Sequence, residues 1–526
     1  MKRGEIARSV SRGAFYLAIE KVAALCSGVV YFALLLRWLG PTKYGIMTLA
    51  LSFAGLAAVA TGNFEMYLER FAAEYQARQA FGTLRRAQFL ALGLKLALGV
   101  LASVALILLA PMLAHQFKAP QLATLLPVLT LMVAFDGLAT TGRATLYGMQ
   151  RFRAVCALAV AFHVLKTVMV GALWFARLGL PALATGLALL SVAQGIVSTA
   201  LPMWLLRRGE DAAPEPEVAS TRGLLRSIVG YCTPLLGARV TFLSGQNLGK
   251  VVLGKLFDAT QLGYFSFAFQ TMERFVELVH TLPASLLPSF THLVARKERE
   301  RLSDVFDQAF RLIQVTACVL SFGVFVFARE ITLVVGSPLF EPAVPLLRIM
   351  ALVPMARTAQ QPLTMLFQAL RLPGTVLTLA LLKFGTEFAC YFTLVPRLGM
   401  LGAGWANLAG AVVSFAGAMM VLNRVLPEGA GERGRASGVA ITLTGVLLVL
   451  GLVLDRPPIF GWSFLVRLAL VPIGIFALFA LQLITRYDLE KLSSIPLGAR
   501  WMRRPRDGFV AAADRLARVL APRRAT

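Results

Sequence analysis

Apolar runs of about 20 residues or more, the length that crosses a bilayer's hydrocarbon core, follow one another almost without a gap from Phe15 to Ile484. A chain written this way has few folds open to it. In hydrocarbon every backbone N–H and C=O must find its partner inside the protein, which leaves helices or a closed barrel, and runs this long suit helices. With 57% hydrophobic and only 15% charged residues in 526, the sequence is too apolar for a soluble protein of its size and reads as an all-α polytopic membrane protein.

The runs predict helices at 13–38, 44–70, 87–112, 122–147, 152–176, 180–206, 227–256, 260–290, 312–335, 342–370, 373–395, 400–424, 438–454 and 463–485, about fourteen spans. Lys and Arg favour the cytoplasmic side of a membrane, and this tests the order. With the N-terminus inside, cytoplasmic loops hold Arg78, Arg85 and Arg86, then Arg151 and Arg153, Arg207 to Arg226, Arg296 to Arg301, and Arg424 to Arg435. The other loops hold about one each: Lys43, Lys118, Arg177, Lys255, Arg397 and Arg456. The alternation predicts two cytoplasmic termini. The formal net charge of +25 therefore belongs to loops and tail, and nucleic acid is not an expected partner.

The chain also echoes itself. Shifted by 218, Thr42 falls on Thr260, Gly45 on Gly263 and Ala50 on Ala268; shifted by 220, Arg177-Leu178-Gly179 falls on Arg397-Leu398-Gly399 and Arg151 on Arg371. Such a period predicts a duplicated chain. The domains expected are an N-lobe at 1–206, a Pro- and Glu-rich cytoplasmic linker at 207–226, a C-lobe at 227–425, an extra helix pair at 438–485 and a basic tail at 486–526. Two pseudo-symmetric six-helix lobes would be related by an axis along the membrane normal. The tail, partly amphipathic, is expected on anionic lipid of the inner leaflet.

Ionisable residues inside the runs are the strongest pointer to a site. Each costs roughly 2.5–3.5 kcal/mol at the bilayer centre, so they must face one another or an aqueous cavity. Lys383 has Glu387 one turn away, and Arg274 has Glu277. Arg239, Arg357, Lys166 and Lys95 have no acid on their own helix. A water-filled cationic cleft suits an anion, and Arg suits phosphate in particular. The expected anion site is Arg239, Arg357 and Lys166, helped by Lys95 and Lys21, with Lys383 and Arg274 as further cavity cations. His163, opposite Lys383 in the repeat, is a further candidate. Asp136 and Glu277 are the candidates for ion coupling.

No Walker A sequence, HExxH, Gly-x-Ser-x-Gly or DxD between helices occurs, and the five cysteines are scattered without metal or disulfide spacing. Neither catalysis, a cofactor nor a metal is expected.

The turn Leu39-Gly40-Pro41-Thr42-Lys43-Tyr44-Gly45, its echo Leu262-Gly263-Tyr264-Phe265-Ser266 and the Gly-rich helix opening from Leu398 to Ala406 resemble a known pattern. It is that of the lipid-linked oligosaccharide (O-antigen repeat-unit) flippases, the polysaccharide-transport branch of the multidrug/oligosaccharidyl-lipid/polysaccharide (MOP) exporter superfamily. The resemblance covers about residues 10–485. It implies a MATE-like fold, a central cavity between two lobes, alternating access, and a polyprenyl-pyrophosphate-linked oligosaccharide as cargo. It implies for the last two helices a groove for the lipid tail, and leaves room for a polymerase or other assembly partner. It assigns no binding residue. A multidrug cation antiporter of the same superfamily remains open, although it would want an acidic cavity. An intramembrane glycan polymerase or ligase would want a large outer loop.

Overall fold

A computed structural model describes residues 3–212, 220–280, 286–427, 429–455 and 461–480. The basic tail at 486–526, the end of the last expected helix and the middle of the linker lie outside these residues. What is described is helical throughout: α1 Arg3–Val59, α2 Glu65–Ala77, α3 Phe81–Gln116, α4 Leu122–Gly148, α5 Phe152–Phe175, α6 Leu180–Ala212, α7 Thr221–Leu256, α8 Ala259–His280 and α9 Leu286–Ala295. They are followed by α10 Arg299–Val326, α11 Ala328–Ile331, α12 Val344–Met350, α13 Val353–Arg357, α14 Gln360–Ala369, α15 Pro373–Leu398, α16 Met400–Val425, α17 Ala430–Val453 and α18 Trp462–Ala480.

Ten of these segments are long and apolar enough to span a membrane, against the fourteen expected from the sequence. The difference has physical causes. The first span, Phe15–Val59, is 45 residues, about 68 Å at 1.5 Å per residue and more than twice the hydrocarbon thickness. It is not straight: Gly40 leaves the helix at φ 67°, ψ 177°, just before Pro41. The rings of Phe32 and Tyr44, twelve residues apart, then meet at 6.2 Å, so the chain turns back on itself and makes two segments. Helices α7, α8 and α18 fall outside the ten; α7 carries Arg239 and Lys250, and α8 carries Glu273, Arg274 and Glu277.

Other boundaries also moved. The helix expected at 44–70 stops at Val59, breaks over Ala60–Phe64 and resumes as α2. The helix expected at 342–370 is three pieces, α12 to α14, with Pro345 and Pro354 at the starts of the first two. Proline lacks the N–H and clashes with the preceding turn, so it is best tolerated where a helix begins.

The chain forms two compact units. The first comprises residues 1–266 with 335–340 and 395–400. In it α4 is packed against α6 and α3, and α1 against α5. Gly142 lets α4 approach α6 so closely that a Cβ there would stand 2.0 Å from the Ser198 carbonyl oxygen. Tyr67, Leu68, Leu84, Leu206 and Ile228 form a buried cluster where α2, α3, α6 and α7 meet. Facing outward on α3 are Phe89, Leu101, Leu108 and Met112, all exposed, the surface of a protein whose solvent is lipid.

The second unit comprises 267–334, 341–394 and 401–526. Its core holds Phe290, Phe306, Leu363, Phe367 and Leu422, with Phe306 stacked on Phe310 at 5.7 Å. Helix α17 lies along α10 and carries α18 with it.

The turn signalled by the 218-residue echo is present twice in the first unit. Oγ1 of Thr42 and of Thr260 are hydrogen-bonded to one another at 2.9 Å. Helix-ending residues in left-handed backbone recur at similar spacing: Gln79 and Lys297 are 218 apart, Gln150 and Arg371 are 221 apart (297 − 79 and 371 − 150).

Candidate functional site

The polar centre of the first unit is Glu65, a residue the sequence reading passed over. The chain reaches it through Thr61-Gly62-Asn63-Phe64, where Gly62 sits at φ +76°, a left-handed conformation that costs glycine nothing. That break ends α1 and aims the first turn of α2 inward. Glu65 then accepts from two cations at once: Lys95 Nζ of α3 on Oε2 and Arg239 Nη1 of α7 on Oε1. Lys95 is 1% exposed, the Glu65 side chain 13% and Arg239 29%. One carboxylate therefore answers two positive charges. Moreover, Arg239 Nε is buried and meets no acceptor among the described residues.

Arg239 also lines a cavity of about 210 Å³ with Asp136, Thr61 and Thr140, walled by Leu51, Ala54, Met132 and Val133. Asp136 of α4 accepts a hydrogen bond from the Ser191 hydroxyl of α6. An arginine with an unused donor and a carboxylate thus share one small cavity, able to hold an anion at one end and a cation or proton at the other.

Several expected site residues are placed differently. Lys95 was read as a helper for the anion; it is buried with its ammonium taken by Glu65 and its stem against Gly137, so it holds Glu65 in place. Lys166 was grouped with Arg239; its ammonium instead lies 4.5 Å from the centre of the Tyr31 ring, at the seam of α5 and α1. Lys21 is exposed on α1 and makes no ion pair among the described residues. His163 is half-buried on α5.

In the second unit, Arg357, expected to be without an acid, has one across helices: its Nη1 and Nη2 bond Oε1 and Oε2 of Glu273 on α8, the second at 3.2 Å. Lys383 pairs with Glu387 at 2.8 Å and Arg274 with Glu277 at 3.1 Å, the same-helix pairs that the spacing suggested. Every cation of this group has its own carboxylate.

A second network in that unit was also missed. Arg467 of α18 is wholly buried; it donates to the Val326 carbonyl at 2.9 Å and pairs with Glu330 at 2.5 Å and Asp455 at 3.1 Å. Arg348 closes the network on the other Asp455 oxygen. The signal in the sequence is the lone arginine in WSFLVRLALV, an ionisable group inside an apolar run.

Among solved structures, the chain is similar to one described as lipid II flippase MurJ in an inward closed conformation. The TM-score is 0.62 and the identity 12%, over 90% of this chain and 99% of that one. It is also similar to an inward-facing multidrug resistance MATE family transporter of the MOP superfamily, with TM-score 0.52 and 14% identity over 78% and 95% of the two chains. A MATE crystallised in complex with MaD5 gives TM-score 0.52 and 15% identity over 80% and 97%. At these identities the likeness is one of fold. No curated protein matches the sequence. The profile of a family described as polysaccharide biosynthesis protein matches residues 34–345, more than half of the chain. A multi-span helical membrane protein with the fold of the MOP-superfamily transporters, the chain belongs to the polysaccharide biosynthesis protein family.

Proposed function

We propose that this protein is a flippase that carries a polyprenyl-pyrophosphate-linked oligosaccharide, a polysaccharide repeat unit, from the inner to the outer leaflet of a bacterial inner membrane by alternating access. The observation that carries the reading is Glu65 shared between Lys95 and Arg239. In this structure Glu65 holds the guanidinium that a pyrophosphate would want. An entering pyrophosphate takes Arg239 in a bidentate, charge-assisted contact, and Glu65 stays balanced by Lys95, so no buried charge is stranded in the exchange. Family membership and a fold shared with a protein described as a lipid II flippase favour a lipid-linked glycan as cargo.

The membrane potential favours export. Each negative charge moved outward gains roughly 2.3 kcal/mol per 100 mV. Asp136, facing the same cavity, is the candidate for an ion or proton returning inward. In this reading both termini are cytoplasmic, fourteen helices form two six-helix lobes with an added pair, and the basic tail rests on anionic inner-leaflet lipid.

The test is glycan export in a strain lacking its own copy of the protein, with Arg239→Gln. Loss of export with normal protein level supports the site. Full export overturns it. A multidrug antiporter would instead confer drug resistance, and would lose it with Asp136→Asn while ignoring Arg239→Gln.

A further inference from the structure

The two echoed turns do more than resemble each other: they are packed together reciprocally. A Cβ on Gly45 would stand 1.8 Å from the carbonyl oxygen of Ala259, and a Cβ on Gly263 would stand 2.0 Å from the carbonyl oxygen of Pro41. Pro41 and Ala259 are 218 apart, as are Gly45 and Gly263, and Thr42 and Thr260 hydrogen-bond across the centre at 2.9 Å. Each copy thus presents a glycine to the other's turn carbonyl, with the two threonines on a local twofold axis. The ring of Phe340, fully buried, meets Tyr44 at 6.4 Å and Tyr264 at 6.1 Å beside that axis. On the same face Lys255 donates to the Gln116 carbonyl at the end of α3, at 3.2 Å. Farther along, Gly254 receives Leu49, and Asn247 lies against Gly55, where the wall of the Arg239 cavity begins.

We propose that the Gly45–Gly263 turn pair is the latch of the outer face, closed in this structure, which must part once in each transport cycle. The inference rests on the alternating-access reading and its topology, in which the 38–44 and 257–263 turns lie outside. What suits this contact to a latch is its chemistry. Its polar part is one neutral hydroxyl pair, exposed to water that can take over its hydrogen bond on opening, and its close approach depends on two missing methyl groups. A permanent joint in the same molecule looks different, as the buried ion pairs around Arg467 show. Any side chain at Gly45 or Gly263 pushes the turns apart, so such variants favour the face being open.

The experiment uses the full-length protein in membranes, with the five native cysteines replaced. Thr42→Cys with Thr260→Cys is oxidised to a disulfide; the expected result is loss of glycan export, restored by reductant. Adding Gly45→Ala or Gly263→Ala slows disulfide formation by about tenfold, the low end of what overpacking of this kind gives. It also raises labelling from outside of a cysteine placed at Leu262, a buried position in the closed turn. If the glycine variants do not accumulate, Thr42→Val with Thr260→Val removes the hydrogen bond without a clash, and the Leu262→Cys label reads the same opening. Full export by the disulfide-locked protein overturns the proposal, as does an unchanged Leu262→Cys labelling rate in the glycine and valine variants. The cargo reading fails separately, on Arg239→Gln, because the labelling needs no knowledge of what is carried.

Discussion

In the first unit one carboxylate, Glu65, is shared by Lys95 and Arg239, whereas in the second each cation has its own acid: Arg357 has Glu273, Lys383 has Glu387 and Arg274 has Glu277. Both arrangements meet the same requirement, that charge placed among apolar helices be answered by opposite charge. They differ in what they can offer a visitor. A one-to-one pair must be broken before it can take an anion, and the acid it leaves behind repels the newcomer. The shared carboxylate can release one cation and keep the other. Each unit holds a charged centre, and only in the first do two cations share one paired carboxylate.

The largest effect expected from that difference is on folding. Glu65→Gln strands Lys95, 1% exposed, without a counter-charge, and should cost about 3–5 kcal/mol in thermal unfolding in detergent. Adding Lys95→Met should recover most of the loss, and failure to recover it would break the claim that the two answer each other. Export comes next. Arg239→Gln removes a charge-assisted contact worth about 1.5–3 kcal/mol, so export should fall roughly tenfold to a hundredfold. The pair Arg357→Gln with Glu273→Gln, which deletes a balanced couple, should leave export near the parent's. Equal losses from the two would show that both centres handle the cargo. Arg239→Lys keeps the charge and loses the planar fork, a change of about 1 kcal/mol or roughly fivefold in export. The smallest effect is Arg274→Ala: its partner Glu277 is 60% exposed, and an exposed same-helix pair of this kind is worth only about 0.3–0.5 kcal/mol. A shift in the melting midpoint beyond experimental scatter would mean that Arg274 does more than pair with Glu277.

Much of this was legible in the sequence, and the reasons for the rest are specific. Thr42 and Thr260 stood out as echoes 218 residues apart, and their hydroxyls are hydrogen-bonded to one another in the structure. Same-helix pairs such as Lys383 with Glu387 follow from helical periodicity alone. Pairs across helices do not, so Arg357 read as lacking an acid although Glu273 was in view on another helix. Glu65 was hidden differently. Reading 44–70 as one helix set it near a membrane surface, where an acid needs no explanation, whereas the break at Thr61-Gly62-Asn63 carries it to the mouth of a new helix facing Lys95. That tripeptide was the available clue. The count of spans suffered from the opposite problem, since charge in α7 and α8 makes those helices less apolar where they matter most.

The buried ties of Arg467 to Glu330 and Asp455 decide what can be learned by shortening the protein. Removing α18 is the obvious way to ask whether the added helices cradle a prenyl tail. It would also take Arg467 from the buried Glu330 and leave Asp455 with Arg348 alone, so a truncated chain would report on its own assembly before it reported on any cradle. A question about the tail is better put by lining the outer flank of α17 with bulkier apolar groups, at exposed Val446, Val449 or Val453, where crowding would disturb a guest while leaving the anchor intact.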